Sequence, residues 1–254
     1  KSHLTLKLTE KGRPLKNLES INVRVSSPVF SHANVISKWT ALSREKPSLL
    51  PKQLNRETFK PESLNYEKSL EILSQIPDFY AELSRVTNST IKLVDNGNRK
   101  MGDWKAGDGI YSGYLKDTRV VGNYELEYNI SAKSSCGGQL IRKHRDGIVI
   151  RAAKIELERS ILDLQRDKKG IIVTLKPVDR FGNLIGAGKA HLINIRVKSS
   201  KSPAKVIDML DGQYRVQLEV NPDSDPEIIM DSNLGIGEPI YKGKLSMLKV
   251  VTGN

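Results

Sequence analysis

The chain has 254 residues and a formal charge of +12, from 41 lysines and arginines against 29 acids. At about 100–150 residues per domain, that length predicts two domains, each able to bury a core of its own. The lone cysteine, Cys136, excludes an internal disulfide and any zinc site built on two or four thiolates, while fitting both a reducing compartment and a cysteine-poor cell envelope.

The charge balance favours acidic partners such as nucleic acid, anionic polysaccharide or lipid headgroups, set against a plain solvated basic surface. No apolar stretch approaches the roughly 18 residues that span a membrane. The chain opens on Lys1, not Met, so it is expected to be a mature product or a piece of something longer, with any signal peptide or anchor outside it.

Taken from the N-terminus, Leu4, Leu6 and Leu8 alternate with polar residues, a turn follows over Glu10 to Leu15, and Ile21, Val23 and Val25 alternate again. Period-two alternation is the mark of half-buried strands. From about Trp39 to Arg85 it disappears. Within that stretch Leu70, Leu73, Ile76, Phe79, Tyr80 and Leu83 recur at the three- and four-residue spacings of an amphipathic helix. Pro77 interrupts them, so two short helices or a kinked one are expected.

Alternation resumes with Tyr124, Leu126, Tyr128 and Ile130, then with Ile171, Val173 and Leu175, with His191, Ile193, Ile195 and Val197, and with Tyr214, Val216, Leu218 and Val220. Turn residues separate these runs, as at Asp179 to Gly182 and Asp211-Gly212. Many short strands punctuated in this way predict an all-β chain of antiparallel sandwiches.

An internal repeat divides the chain. Asp108-Gly109-Ile110-Tyr111 and Asp211-Gly212-Gln213-Tyr214 enter a strand in the same manner, roughly 100 residues apart, which is one sandwich domain. The stretch from Gly12 to Asp108 exceeds that from Gly182 to Asp211 by roughly 67 residues. Residues 40–86 fall in that excess and are expected to be a partly helical insertion in a first sandwich spanning 1–151, with a second over 152–254. Insertions of this length are often functional.

The motifs Asp95-Asn96-Gly97, Gly102-Asp103 and Ala106-Gly107-Asp108-Gly109-Ile110-Tyr111 resemble a signature of bacterial extracellular immunoglobulin-like modules found beside von Willebrand factor A domains. Gly12-Arg13-Pro14-Leu15 and Gly122-Asn123-Tyr124 agree with it. Pro177, Asp179, Phe181-Gly182-Asn183, Gly186 to Gly188 and Asp211 to Tyr214 are similar to filamin-type repeats. The resemblance covers most of residues 1–30 and 88–220. It implies two tandem immunoglobulin-like sandwiches in an extracellular or cell-envelope protein, serving as adhesive, spacer or anchoring units.

Two readings suit the aspartates. An Asp-Gly pair ahead of an aromatic strand residue is a turn device, with glycine tolerating positive φ and the carboxylate capping amides. In the other, Asp95, Asp103 and Asp108 converge as hard oxygen ligands on Ca2+, although their spacing is not that of an EF-hand.

Catalytic signals are thin. His3, His32, His144 and His191 are scattered, and His191 falls on the inward face of a predicted strand as a packed residue. Cys136 precedes Gly137-Gly138, yet no histidine partner follows from spacing. Gly182, Gly186 and Gly188 sit between strands, where a phosphate-binding loop does not form. The basic clusters Arg142-Lys143-His144-Arg145 and Arg166-Asp167-Lys168-Lys169 lack interleaved aromatics. They read as solvated turns with a polyanion bias, not as a specific nucleic-acid reader.

The expectation is therefore a non-catalytic interaction module acting on a protein or an anionic polysaccharide at a cell surface. Trp39, Phe59, Tyr66, Phe79 and Tyr80 concentrate aromatics in the insertion, where they either anchor a partner or cap the first core. The alternatives are a spacer or assembly unit whose edge strands accept a strand from a neighbour, self-association included, and a polyanion- or carbohydrate-binding accessory domain.

Overall fold

The computed structural model describes residues 2–10, 12–15, 18–50, 66–133, 138–200, 204–232 and 241–248. Among the described residues strand accounts for 46 % and helix for 21 %, so these are mainly β, in antiparallel sheets. Two compact units divide it: residues 1–29 with 85–151, and residues 30–84 with 152–254.

In the first unit β1 (Ser2–Lys7), β2 (Thr9–Glu10), β3 (Arg13–Pro14), β4 (Leu18–Pro28), β5 (Val86–Leu93), β6 (Ile110–Leu115), β7 (Gly122–Lys133) and β8 (Gln139–Ile150) follow in order. They form a four-stranded sheet, β5-β4-β7-β8, a two-stranded sheet, β1-β6, and the short pair β2-β3. Alternation puts Ile21, Val23 and Val25 of β4 and Tyr124, Leu126 and Tyr128 of β7 into one core with Leu4, Leu93, Tyr111 and Leu115. The sheet carrying β1 has only two strands, which is too few to cover four. Of β8, Ile148 and Ile150 pack against this core.

The chain leaves this unit after Val29 and returns at Arg85, where Val29 and Arg85 are still joined by a backbone hydrogen bond of 3.1 Å. The intervening helices α1 (His32–Glu45), α2 (Tyr66–Ser74) and α3 (Pro77–Leu83) belong to the second unit. Its strands β9 (Ile161–Asp167), β10 (Gly170–Leu175), β11 (Ile193–Val197), β12 (Lys205–Asp208), β13 (Tyr214–Leu218), β14 (Glu227–Ser232) and β15 (Tyr241–Lys244) form sheets β12-β13-β10-β9 and β11-β14-β15 around a single core. Ile171, Val173, Tyr214 and Val216 from one sheet meet Ile195 and Ile228 from the other.

Helix α1 starts at His32, ahead of the Trp39 at which alternation is lost. Ser31 caps it, its Oγ accepting from Asn34 N at 3.2 Å. Pro77 opens α3, where its missing N–H costs nothing. Val35, Ile36, Trp39, Ile72, Leu73, Ile76 and Phe79 form a small core for the three helices.

Polar bonds tie α1 to the β-strand connections of its own unit. The Asn34 side chain donates to Gly182 O (3.0 Å) and accepts from Leu184 N (2.9 Å), the two bonds that a neighbouring strand would make. Ser37 Oγ donates to Asp211 O and Arg44 Nη2 to Met209 O. His191 departs from expectation: residues 190–192 form one turn of 3-10 helix before β11, and the side chain is exposed, not packed on an inward face.

Candidate functional site

The connection from β5 to β6, residues 94–109, is the most heavily braced surface segment of the first unit. Asp103 is buried, with 2 % exposure. Its Oδ2 accepts from the amides of Asn96 (2.5 Å) and Gly97 (2.6 Å) and its Oδ1 from Lys105 N (3.3 Å). Asp95 Oδ1 accepts from Gly107 N (2.6 Å) and its Oδ2 from Gly109 N (2.9 Å). Asp108 Oδ1 takes the Ile110 amide at 2.9 Å. Charge-assisted bonds of this kind are about twice as strong as neutral ones, and five of them close on two carboxylates.

Glycine matters most at position 109. Its φ is +81°, and a Cβ there would lie 2.9 Å from Leu8 O, so no side chain fits. The loop is also pinned by reciprocal bonds between Val94 and Ser112, 3.0 and 2.8 Å long.

The three aspartates expected either as Ca2+ ligands or as turn devices thus sit in one loop with their oxygens turned to backbone amides. Among the described residues no group of three or more His, Cys, Asp or Glu side chains is placed to hold a metal ion.

What this frame presents is Trp104, next to the buried Asp103. The indole is 71 % exposed, and the Arg99 guanidinium carbon lies 5.6 Å from its ring centroid, within range of a cation–π attraction. Arg99 itself stands in a single 3-10 turn, Arg99–Met101, capped by Asn98 Oδ1 accepting from Lys100 N at 3.0 Å. Lys100 and Lys105 are exposed on either side. An exposed indole with a guanidinium against it, and two further exposed lysines in the same loop, suits a partner with a ring face and negative charge.

The second unit repeats the device on a smaller scale. Asp179 is 1 % exposed; its Oδ1 accepts from the amides of Phe181 and Asn183, both 2.9 Å, and its Oδ2 from Ala153 N at 3.1 Å. Burial pushes its carboxyl up, but the bonds from Asn183, Ala153 and Phe181 outweigh that and hold it below the usual carboxylate range. Phe181 is 46 % exposed, with the Arg180 guanidinium 4.7 Å from its ring centroid. Each unit therefore sets an arginine-stacked aromatic beside a buried, amide-braced aspartate.

The aromatics of the insertion are placed differently. Phe79 is fully buried and Trp39 nearly so, packed edge to face with centroids 6.3 Å apart, and Trp39 Nε1 donates to Glu82 Oε2 at 2.8 Å. Tyr66 is half-buried, its hydroxyl pKa raised by burial. Tyr80 is exposed. Phe59 and Cys136 lie outside the described residues.

Of the basic clusters, Arg166 to Lys169 lies at the β9–β10 hairpin, whereas Arg142 to Arg145 corrects the turn expectation by running through the middle of β8. His3 lies against Tyr114 and His144 against Tyr128, with ring centroids 5.2 and 5.8 Å apart. Trp104 carried no alternation or motif signal; only its place after the buried Asp103 marks it. Comparison with protein-family models, with curated proteins and with solved structures finds no match for this chain.

Proposed function

We propose that the chain is a non-catalytic interaction module of a secreted or cell-surface protein, built from two immunoglobulin-like sandwiches in tandem, and that it engages an anionic polysaccharide through Trp104 and its cationic collar. The observation that carries this reading is the exposure of Trp104 on a loop whose shape is fixed by Asp95, Asp103 and Asp108. A preorganised aromatic loses little entropy on binding, and an indole face stacks on a sugar ring while Arg99, Lys100 and Lys105 meet its carboxylates or sulfates. The immunoglobulin-like assignment is supported by two facing antiparallel sheets around one core in each unit, and the extracellular setting by the motif resemblance alone. The aspartates serve the loop as frame, with amides where Ca2+ would need open oxygens.

Retention on immobilised heparin, a sulfated polysaccharide, tests the proposal. The native chain is expected to bind at low salt and elute as salt rises. Trp104→Ala and Arg99→Ala are expected to elute clearly earlier with their melting transitions unchanged. Elution of Trp104→Ala together with the native chain would remove the loop from the account. A spacer or assembly unit is the second reading, favoured by the two edge strands of the four-stranded sheet, β5 and β8, of which β5 lacks the run of cations.

A further inference from the structure

The four-stranded sheet ends in two edge strands, β5 and β8, and β8 is the longer. It is 12 residues long, it pairs with β7 over its whole length, and nothing among the described residues pairs with its other side. Among the described residues no backbone-to-backbone bond from 139–150 reaches any element but β7. Residues 141–147 are exposed on both faces, because the two-stranded sheet opposite does not extend over them. Long open edges invite pairing and are shielded by short length, a proline, a bulge or charged side chains. β8 is long, has no proline, and its register with β7 runs unbroken from Gly122↔Ile150 to Lys133↔Gln139, so its charges are the only one of these devices it carries.

Charge decides what the edge admits. Pairing with β7 puts Arg142 and His144 on the core-side face beside Ile130 and Tyr128, and Lys143 and Arg145 on the outer face beside Asn129 and Glu127. Arg145 is held by Glu127 at 3.1 Å; Arg142 and Lys143 make no ion pair among the described residues. A second copy pairing edge to edge about this stretch would set these cations against their own kind, which is unfavourable. Within the strand the Gly147 amide donates to the carboxylate of the preceding residue, Asp146 Oδ1, at 2.7 Å.

We propose that β8 is a docking edge for an extended acidic peptide segment, which adds to β5-β4-β7-β8 as a fifth strand. Main-chain bonds supply affinity, and acidic side chains on both faces of the incoming strand meet Arg142 and Lys143. This site is independent of Trp104, in the loop between β5 and β6.

The test uses the full chain and a capped peptide repeating Val-Val-Glu-Glu, which carries glutamate on both faces of a strand, measured by calorimetry or fluorescence anisotropy. Binding is expected, weakened roughly tenfold by the double substitution Arg142→Glu with Lys143→Glu, two lost charge contacts being worth about that factor. It is also expected to be abolished when alternate peptide amides are N-methylated, while Trp104→Ala leaves it unchanged. The substituted side chains are exposed, so the fold persists, and circular dichroism checks it. N-methylated peptide binding as well as the parent, or an unstructured poly-D-glutamate matching it, would reduce the edge to a diffuse cationic surface and overturn the proposal. Absence of binding in low salt would do so too.

Discussion

Arg44 Nη1 lies 2.7 Å from Asp211 Oδ2, joining the last turn of α1 to a strand connection 167 residues further along the chain. The Asp211 side chain is 9 % exposed and that of Arg44 25 %, so neither charge is well hydrated without the other. Removing one member of a shielded pair strands its partner. Arg44→Ala is expected to destabilise the second unit by about 2–3 kcal/mol, with the loss of the Met209 contact included. Urea unfolding of the native and substituted chains measures it, and a change below about 0.5 kcal/mol would mean that the pair is only a surface contact.

Asp103→Ala removes the acceptor of three amides, those of Asn96, Gly97 and Lys105, at a position that is buried in the folded loop. The expected cost is about 2–3 kcal/mol. Because amides already fill these oxygens, a chelator is expected to leave the melting midpoint of the native chain unchanged. A midpoint that falls with chelator and returns with added calcium would show that the loop rearranges around an ion.

Phe79 and Tyr80 are neighbours in α3 with opposite fates, one with 0 % and the other with 63 % exposure. Phe79→Ala is expected to cost about 3–4 kcal/mol, through lost burial and a cavity in the helical core. Tyr80→Ser is expected to stay within about 0.5 kcal/mol. Equal effects would mean that α3 is turned relative to the arrangement described.

Asp179 and Asp208 give acid stability two opposing slopes. The Asp179 carboxyl is held low in the folded chain, so the stability it supplies is present above the unfolded value, about 4, and is lost as pH falls through the folded value. Burial pushes Asp208 up, against the bonds from Leu210 and Gly188; its contribution is present below that same unfolded value and is lost as pH rises through the folded one. Asp179→Asn is expected to flatten the loss of stability below about pH 4, followed by denaturant unfolding at stepped pH. An unchanged slope would assign acid sensitivity to other carboxylates.

Much of the fold was legible because strands show their buried face at every second residue, and Leu4, Val23, Tyr124 and Val216 stand where alternation places them. The break at Pro77 was legible from the missing N–H alone. The start of α1 was not: Val35, Ile36 and Trp39 keep helical spacing, but Ser31, the residue that begins the helix, was not taken as a cap. Nor could spacing tell that α1 docks through Asn34, Ser37 and Arg44 on residues 150, 174 and 167 positions away. The aspartates were legible as a group, with both their uses in view. Trp104 was overlooked because a single exposed aromatic leaves no period, and the basic run in β8 passed for a turn because charge on both faces hides alternation in an edge strand.

The account rests on Trp104 being a contact residue, and its own fluorescence reports on that most directly. Trp39 is buried and Trp104 exposed, so red-shifted emission that acrylamide quenches belongs to Trp104, and a Trp104→Phe chain identifies it. Saturation with heparin is expected to shift that emission to the blue and shield it from acrylamide. Emission and quenching that stay unchanged while the polysaccharide is bound would place the contact elsewhere and contradict the account.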